Sequence, residues 1–367
     1  MDRRISPPLA FLLLVLGAFS SLSSLADVRT FQQTFYAPDY DQGFLLLDYH
    51  YFDESLDVLD YSSKLSSTFK PESATSTYLG LGYRFFEKGL ISYQRERSKG
   101  KITRDREPYL LESKVDGDRL GIRWQIGSRF NVNWSLELAY LSREQPEVAI
   151  KCYEFQGSVF GACSDSTLSF ADPITDAPLP LLESDAQQST WAATLFANHE
   201  LFDRLNVTHH VLIKQSDLEI NTRSPLFDIE SPFLLNSSFG GRKLSEIITG
   251  FKQDLPQQTP WKETSFRYGV SGGLLLSDRW IANVQLAVTK VKRSGYQWVE
   301  GNPNYESNTI LSTSLWYTPI QNVSLYVEGM VTQHYLLGID ELTYNQRTSR
   351  FFEHPFAQIK TGFVLGF

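Results

Sequence analysis

The chain has 367 residues, 21% charged, 42% hydrophobic and 14% aromatic, with 34 Lys and Arg against 42 Asp and Glu. This composition excludes a bundle of membrane helices, which needs repeated apolar runs of about 20 residues. It also excludes a disordered chain, which would be poor in aromatics, and a basic nucleic-acid binder. An all-β protein is left, either soluble or embedded in a membrane.

The one long apolar run is N-terminal. Arg3 and Arg4 precede Leu9 to Phe19, and small residues at Ser24 and Ala26 follow. This order reads as a secretory signal peptide over residues 1–26, cut before Asp27. Residues 27–41 read as a short periplasmic or lumen-inserted segment, and residues 42–367 as one barrel domain. Export brings the two cysteines, Cys152 and Cys163, into an oxidising compartment where one disulfide is expected.

From residue 73 onward the chain repeats a short amphipathic unit, and residues 42–52 supply one more upstream, which makes the number even. In 42–52, Leu45, Leu47, Tyr49 and Tyr51 share one face. Strands are expected next at 73–85, 89–99, 114–126, 131–141, 189–199 and 205–216, then at 262–277, 280–293, 306–317, 323–335 and 353–367. The pair 120–126 and 132–140 is the clearest. Leu120, Ile122 and Trp124 face away from Gly121, Arg123 and Gln125, and Trp134, Leu136 and Leu138 face away from Ser135 and Glu137. Alternation with period two marks strands whose two faces meet different environments.

Short turns near 86–88, 127–131, 200–204, 277–279 and 318–322 alternate with loops at 53–72, 100–113, 142–188, 217–261, 294–305 and 336–352. Loops 142–188 and 217–261 are long enough to imply a role of their own, and 217–261 carries an apolar patch, Pro232 to Leu235, able to plug a lumen or meet an external partner. A sheet crossing hydrocarbon has to close, since lipid offers nothing to an open edge. The expected fold is therefore a closed antiparallel transmembrane β-barrel of 12 strands, with 10 or 14 as alternatives. Trp124, Tyr140, Trp191, Trp280 and Tyr317 are girdle candidates, and Trp316 has lumen parity.

The last strand alternates to the end of the chain through Phe363, Leu365 and Phe367. An aromatic strand ending in Phe resembles the assembly signal of bacterial outer-membrane β-barrels, and this resemblance covers residues 42–367. Among these, the chain is most similar to the solitary autotransporter-like β-barrel family. The resemblance implies an integral outer-membrane protein with a periplasmic C-terminus. It also implies the barrel-assembly machinery and periplasmic chaperones as biogenesis partners, and outer-membrane lipids and lipopolysaccharide as surroundings. No cofactor, nucleic acid or established catalytic activity is implied.

The residues themselves give little chemistry. There is no G-x-S-x-G, no H-E-x-x-H and no cysteine pair at metal spacing. No catalytic, cofactor or metal residue is assigned. His50, His334, His354 and Asp48 share lumen parity on strands that become neighbours on closure. They form a rim polar cluster, a weak metal site or part of a hydrolytic site, unless they are unrelated lumen residues. His209 and His210 point to opposite faces and read as structural. Arg123, Gln125, Glu137, Lys214, Arg267, Gln285, Lys290, Tyr326 and Glu328 are placed in the lumen, where mixed charges brace a closed interior or line a pore. Lys99 to Arg106 gives a loop a basic patch suited to lipopolysaccharide phosphates. Three functions stay open: a surface or autotransporter-like structural barrel, a narrow channel for small solutes, and a lipid-modifying enzyme.

Overall fold

The computed structural model describes residues 43–53, 70–86, 88–104, 107–129, 132–150, 152–155, 158–161, 182–202, 204–223, 232–239, 242–246, 248–249, 260–296, 304–320, 322–334, 336–343 and 355–367. The expected signal peptide and the segment 27–41 lie outside them.

The wall begins with β1 (Gly43–Asp53), β2 (Lys70–Phe85), β3 (Gly89–Arg104), β4 (Glu107–Arg129), β5 (Val132–Ile150) and β6 (Leu182–Phe202). It continues through β7 (Leu205–Arg223), β8 (Trp261–Ser277), β9 (Trp280–Ser294), β10 (Ser307–Ile320), β11 (Val323–Thr332) and β12 (Phe356–Gly366). Each strand pairs antiparallel with its chain neighbour, and β12 pairs with β1, so these 12 strands form a closed barrel. The seam is tied at its end, where Gly43 N donates to Phe367 O and Phe367 N to Gly43 O, both at 3.0 Å. Beyond Arg223, where β7 ends, the described residues between 232 and 249 add no strand to the wall. The described part of that segment contains a helix, Pro232–Asn236, and a separate two-stranded ladder, Ser238–Phe239 with Arg242–Lys243.

The two faces follow the sequence alternation. Leu47 and Tyr49 on β1, Leu79, Leu81 and Tyr83 on β2, Leu120, Ile122 and Trp124 on β4, and Leu325 and Val327 on β11 are exposed outside. Their inward neighbours Asp48, His50, Arg119, Arg123, Ser324 and Glu328 are buried. Such inversion, apolar outside and polar inside, suits a barrel whose solvent is lipid.

The strands are longer than expected. β4 has 23 residues and β6 has 21, where about 9–11 residues cross a bilayer. The surplus rises on the long-loop side and shortens the loops. The segment 100–113 is mostly a hairpin of β3 and β4, while β5 reaches Ile150 and β7 reaches Arg223. Local sequence pattern misses these extensions because the faces change character there: on β7 Asp217 and Glu219 are exposed while Leu218 and Ile220 turn inward, the reverse of the pattern lower on the strand.

Large inward side chains need room across the wall. At Gly362 on β12, a Cβ would overlap the Tyr326 ring and Asp48 Oδ1, whereas at Gly329 its nearest neighbour is Thr313 Oγ1 at 3.9 Å. Overpacking of this kind costs about 1–3 kcal/mol. Gly362→Val is therefore expected to lower the temperature at which the folded barrel unfolds in detergent, read by its heat-dependent gel mobility. Gly329→Val should leave it near wild type, and equal midpoints for the two variants would contradict the packing described here.

Candidate functional site: a segment inserted into the lumen

The lumen is filled in layers. At the short-turn end Phe44, Leu46, Leu90, Trp316, Tyr326 and Val364 form an apolar floor, with Trp316 stacked on Tyr326 at 4.2 Å. Above it charges are paired rather than solvated. Tyr326 donates to Asp48, and Lys360 Nζ donates to Glu328 Oε1 at 2.6 Å. Arg119 pairs with Glu137, while Arg123 Nη2 donates to Ser135 Oγ at 2.6 Å and its guanidinium lies 4.7 Å from the Phe196 ring centre. A buried charge is tolerated only with partners of this kind.

On the long-loop side residues 336–343 leave β11 and fold into the barrel. Leu337 is fully buried and Ile339 and Leu342 nearly so. Ile339 packs with Ala287, Ile310 and Met330, Leu337 with Val291, and Leu342 with Ala186, Leu218, Ile220 and Trp261. The turn holds itself through Ile339 N and Asp340 N, which both donate to Leu336 O at 2.9 Å.

Five wall strands clamp this plug. Asn308 Nδ2 on β10 donates to Leu337 O at 2.9 Å. Arg267 Nη2 on β8 and Lys214 Nζ on β7 donate to Gly338 O at 2.8 and 3.2 Å. Arg143 on β5 bridges Glu96 and Asp340, with Nη2 2.8 Å from Glu96 Oε2 and Nη1 3.1 Å from Asp340 Oδ1. Lys214 also pairs with Glu341, whose Oε2 accepts from Gln188 Nε2 on β6 at 2.8 Å. Gly338 has φ of 69°, and a Cβ there would stand 2.7 Å from Thr289 Cγ2, so the apex of the plug requires glycine.

The two plug carboxylates differ in electrostatics. Burial raises the Asp340 carboxyl, with Arg143 pulling the other way. Burial also pushes Glu341 upward, but Lys214, in contact with it, outweighs this and lowers its pKa. Docking thus favours ionised Glu341, while it shifts Asp340 towards its protonated form.

The sequence-derived sites fare unevenly. Asp48 and His50 are buried inside the barrel, and the His50 ring lies 4.4 Å from that of Tyr78. His334 stands beyond the end of β11, stacked on Tyr305 at 4.7 Å. Glu328 and His50 both pair with Lys360, and His334 is six residues further along from Glu328, roughly 20 Å at strand rise. The register therefore does not bring His334 to His50. His354 lies outside the described residues. Among the described residues no group of three or more His, Cys, Asp or Glu is placed to hold a metal. Cys152 lies on a ribbon, Cys152–Phe155 paired with Ser158–Gly161, and Cys163 lies outside the described residues. Of the lumen candidates, Arg123, Glu137, Lys214, Arg267, Gln285, Tyr326 and Glu328 are buried. One is corrected: Lys290 is exposed on the outer face with Leu286 and Val288, whereas Gln125, opposite the buried Ser135, keeps the inward side but is exposed beside an irregularity of β4. The apolar patch at 232–235 is not the plug, since Phe233 is 82% exposed. The signal for the true plug was the run Leu336-Leu337-Gly338-Ile339, too apolar for a solvated loop.

The closed antiparallel wall, apolar outside and charged inside, decides the class. The fold is that of a bacterial outer-membrane β-barrel. The translocator domain of the autotransporter NalP from Neisseria meningitidis is similar, with a TM-score of 0.51 and 8% identity over 93% of this chain and 95% of that one. The β domain of the Bordetella autotransporter BrkA matches with a TM-score of 0.46 at 9% identity, over 89% and 99% of the two chains. The transport unit of AIDA-I from Escherichia coli matches with 0.46 at 9%, over 97% of each. No family model and no curated protein matches the sequence.

The Glu341 contribution to docking is fully present above the ordinary glutamate value of 4.5 and is lost as pH falls through its lowered value. The Asp340 contribution has the opposite sign and grows as pH falls through its raised value. Removing one member of a buried ion pair costs roughly 3–5 kcal/mol. Glu341→Gln is accordingly expected to lower hydrogen-exchange protection of the amides of Ile339 and Asp340 by at least tenfold, and Asp340→Asn to change it little. Equal loss in both variants would refute this assignment.

Proposed function

We propose that the protein is a sealed structural barrel of the outer membrane, presenting its long-loop side at the cell surface and its C-terminus to the periplasm. The observation that carries this reading is the plug of residues 336–343, buried in the lumen and ion-paired to the wall through Arg143 and Lys214. Short turns on the side of Phe367 support the orientation, since outer-membrane barrels keep short turns periplasmic. Phe363, Leu365 and Phe367 serve as the assembly signal in this reading. Their strand forms the closing seam with β1, where an assembly machine would complete the sheet. Periplasmic chaperones and outer-membrane lipids complete the set of partners. A Cys152–Cys163 bond belongs to the same proposal, and the pairing of Cys152 with Gly161 returns the chain to within two residues of Cys163.

A narrow channel that opens when the plug leaves is the second reading. It is favoured by the way the plug is held, through wall side chains that bond its backbone and carboxylates, so that its release would leave the sheet intact. Planar-bilayer recording tests both. The unmodified protein should be silent at moderate voltage, and sustained current steps from it would overturn the sealed reading. Steps that appear only when residues 336–343 are replaced by a Gly-Ser linker would establish the second.

A further inference from the structure

The outward positions of β9 run Trp280, Ala282, Val284, Leu286 and Val288, and then change to Lys290 and Lys292. Both lysines are exposed, and as i and i+2 on one strand they stand about 7 Å apart on one face. Thr264 pairs with Lys292, so Lys262 on β8 is the diagonal neighbour of Lys292, and Phe266, opposite Lys290, lies on the side of the apolar band. Lys290, Lys292 and Lys262 therefore follow one another in two-residue steps along the paired strands, beginning where the lipid-facing band ends.

Their charge is poorly balanced. Lys262 Nζ is 2.8 Å from Asp217 Oδ1, but Lys290 and Lys292 make no ion pair among the described residues. The exposed basic residues of β3 are different. Arg95 Nη1 is 2.5 Å from Asp118 Oδ2, and Arg97 Nε is 3.5 Å from Asp116 Oδ1. The chain carries a net charge of −8, so this local excess runs against its overall sign.

We propose that Lys290 and Lys292, with Lys262 beside them, seat the phosphoryl group of an anionic lipid in the leaflet on the long-loop side. Its acyl chains lie against Phe266, Leu286 and Val288, which are 47%, 48% and 45% exposed. Two flexible ammonium groups flank a tetrahedral anion from both sides, and their alkyl stems cover apolar surface while the charged ends reach the head-group level. The seat lies on the outer wall of β8 and β9, not on the Lys99 to Arg106 stretch. It rests on the reading of the apolar band as membrane-embedded.

The test is retention of lipid by the full-length folded barrel in detergent, followed by native mass spectrometry with added lipid A, with dephosphorylated lipid A, and with lipid A plus millimolar inorganic phosphate. Lipid A should be retained, its dephosphorylated form should not, and free phosphate should not displace it. Lys290→Glu with Lys292→Glu should weaken retention at least about tenfold. The milder Lys290→Gln with Lys292→Gln should weaken it severalfold, and Arg97→Gln should leave it unchanged. Equal retention of both lipid forms, displacement by phosphate, or indifference to both double variants in a barrel of normal heat-dependent mobility would overturn the proposal. Failure of the membrane reading itself would show separately, as failure of the wild-type protein to insert into lipid vesicles.

Discussion

A β-sheet surrounded by hydrocarbon has no water to complete its backbone hydrogen bonds, so every edge must find another edge. Here that requirement is met by the pairing of β12 with β1, and the paired backbones of Gly43 and Phe367 finish the seam. Closure then divides the side chains. Odd positions of β1 meet lipid and even positions meet the lumen, so one alternating strand carries Leu47 and Tyr49 outward while it hides Asp48 and His50. The exposed aromatic and aliphatic surface, unusual for a chain of this charge, follows directly from that division.

The same closure creates a second problem inside. Polar side chains gathered in a narrow lumen either hold water or satisfy one another. Several of its charged side chains take the second course: Glu328 with Lys360, Glu137 with Arg119, and Glu96 with Arg143 are ion pairs removed from solvent. The charge left over at the top of the lumen is met by the plug. Arg143 has one guanidinium edge for Glu96 and another for Asp340, while Lys214 and Arg267 converge on Gly338 O. Plug and wall thus form one polar network rather than a stopper resting in a pipe. Below it the Trp316–Tyr326 stack and its apolar neighbours form a second, apolar cluster towards the other end.

Much of this fold was legible in the sequence because lipid enforces period-two alternation so strictly. The twelve-strand wall, its antiparallel order and the inward placement of Arg123, Glu137, Lys214, Arg267 and Glu328 all follow from parity. Parity also locates errors. Lys290 continues the outward series of Leu286 and Val288, so its charge was no guide to its face. What the sequence did not yield is long-range position. The alternation of β1 and β11 says which side His50 and His334 take, but only the register fixes their heights, and these separate them. The plug is hidden for a related reason: its contacts to β5, β6, β7, β8 and β10 are spread along the chain, and only its unusually apolar character is local.

The central claim is that residues 336–343 are packed inside the barrel and not held out in water. It is tested most directly by placing a cysteine at Leu337, in a Cys152→Ser, Cys163→Ser background, and exposing the barrel in lipid vesicles to a charged, membrane-impermeant thiol reagent. Because the Leu337 side chain is fully buried against Val291, Leu337→Cys should label at least a hundredfold more slowly than the same residue in the unfolded chain. Labelling at the unfolded rate would contradict the account.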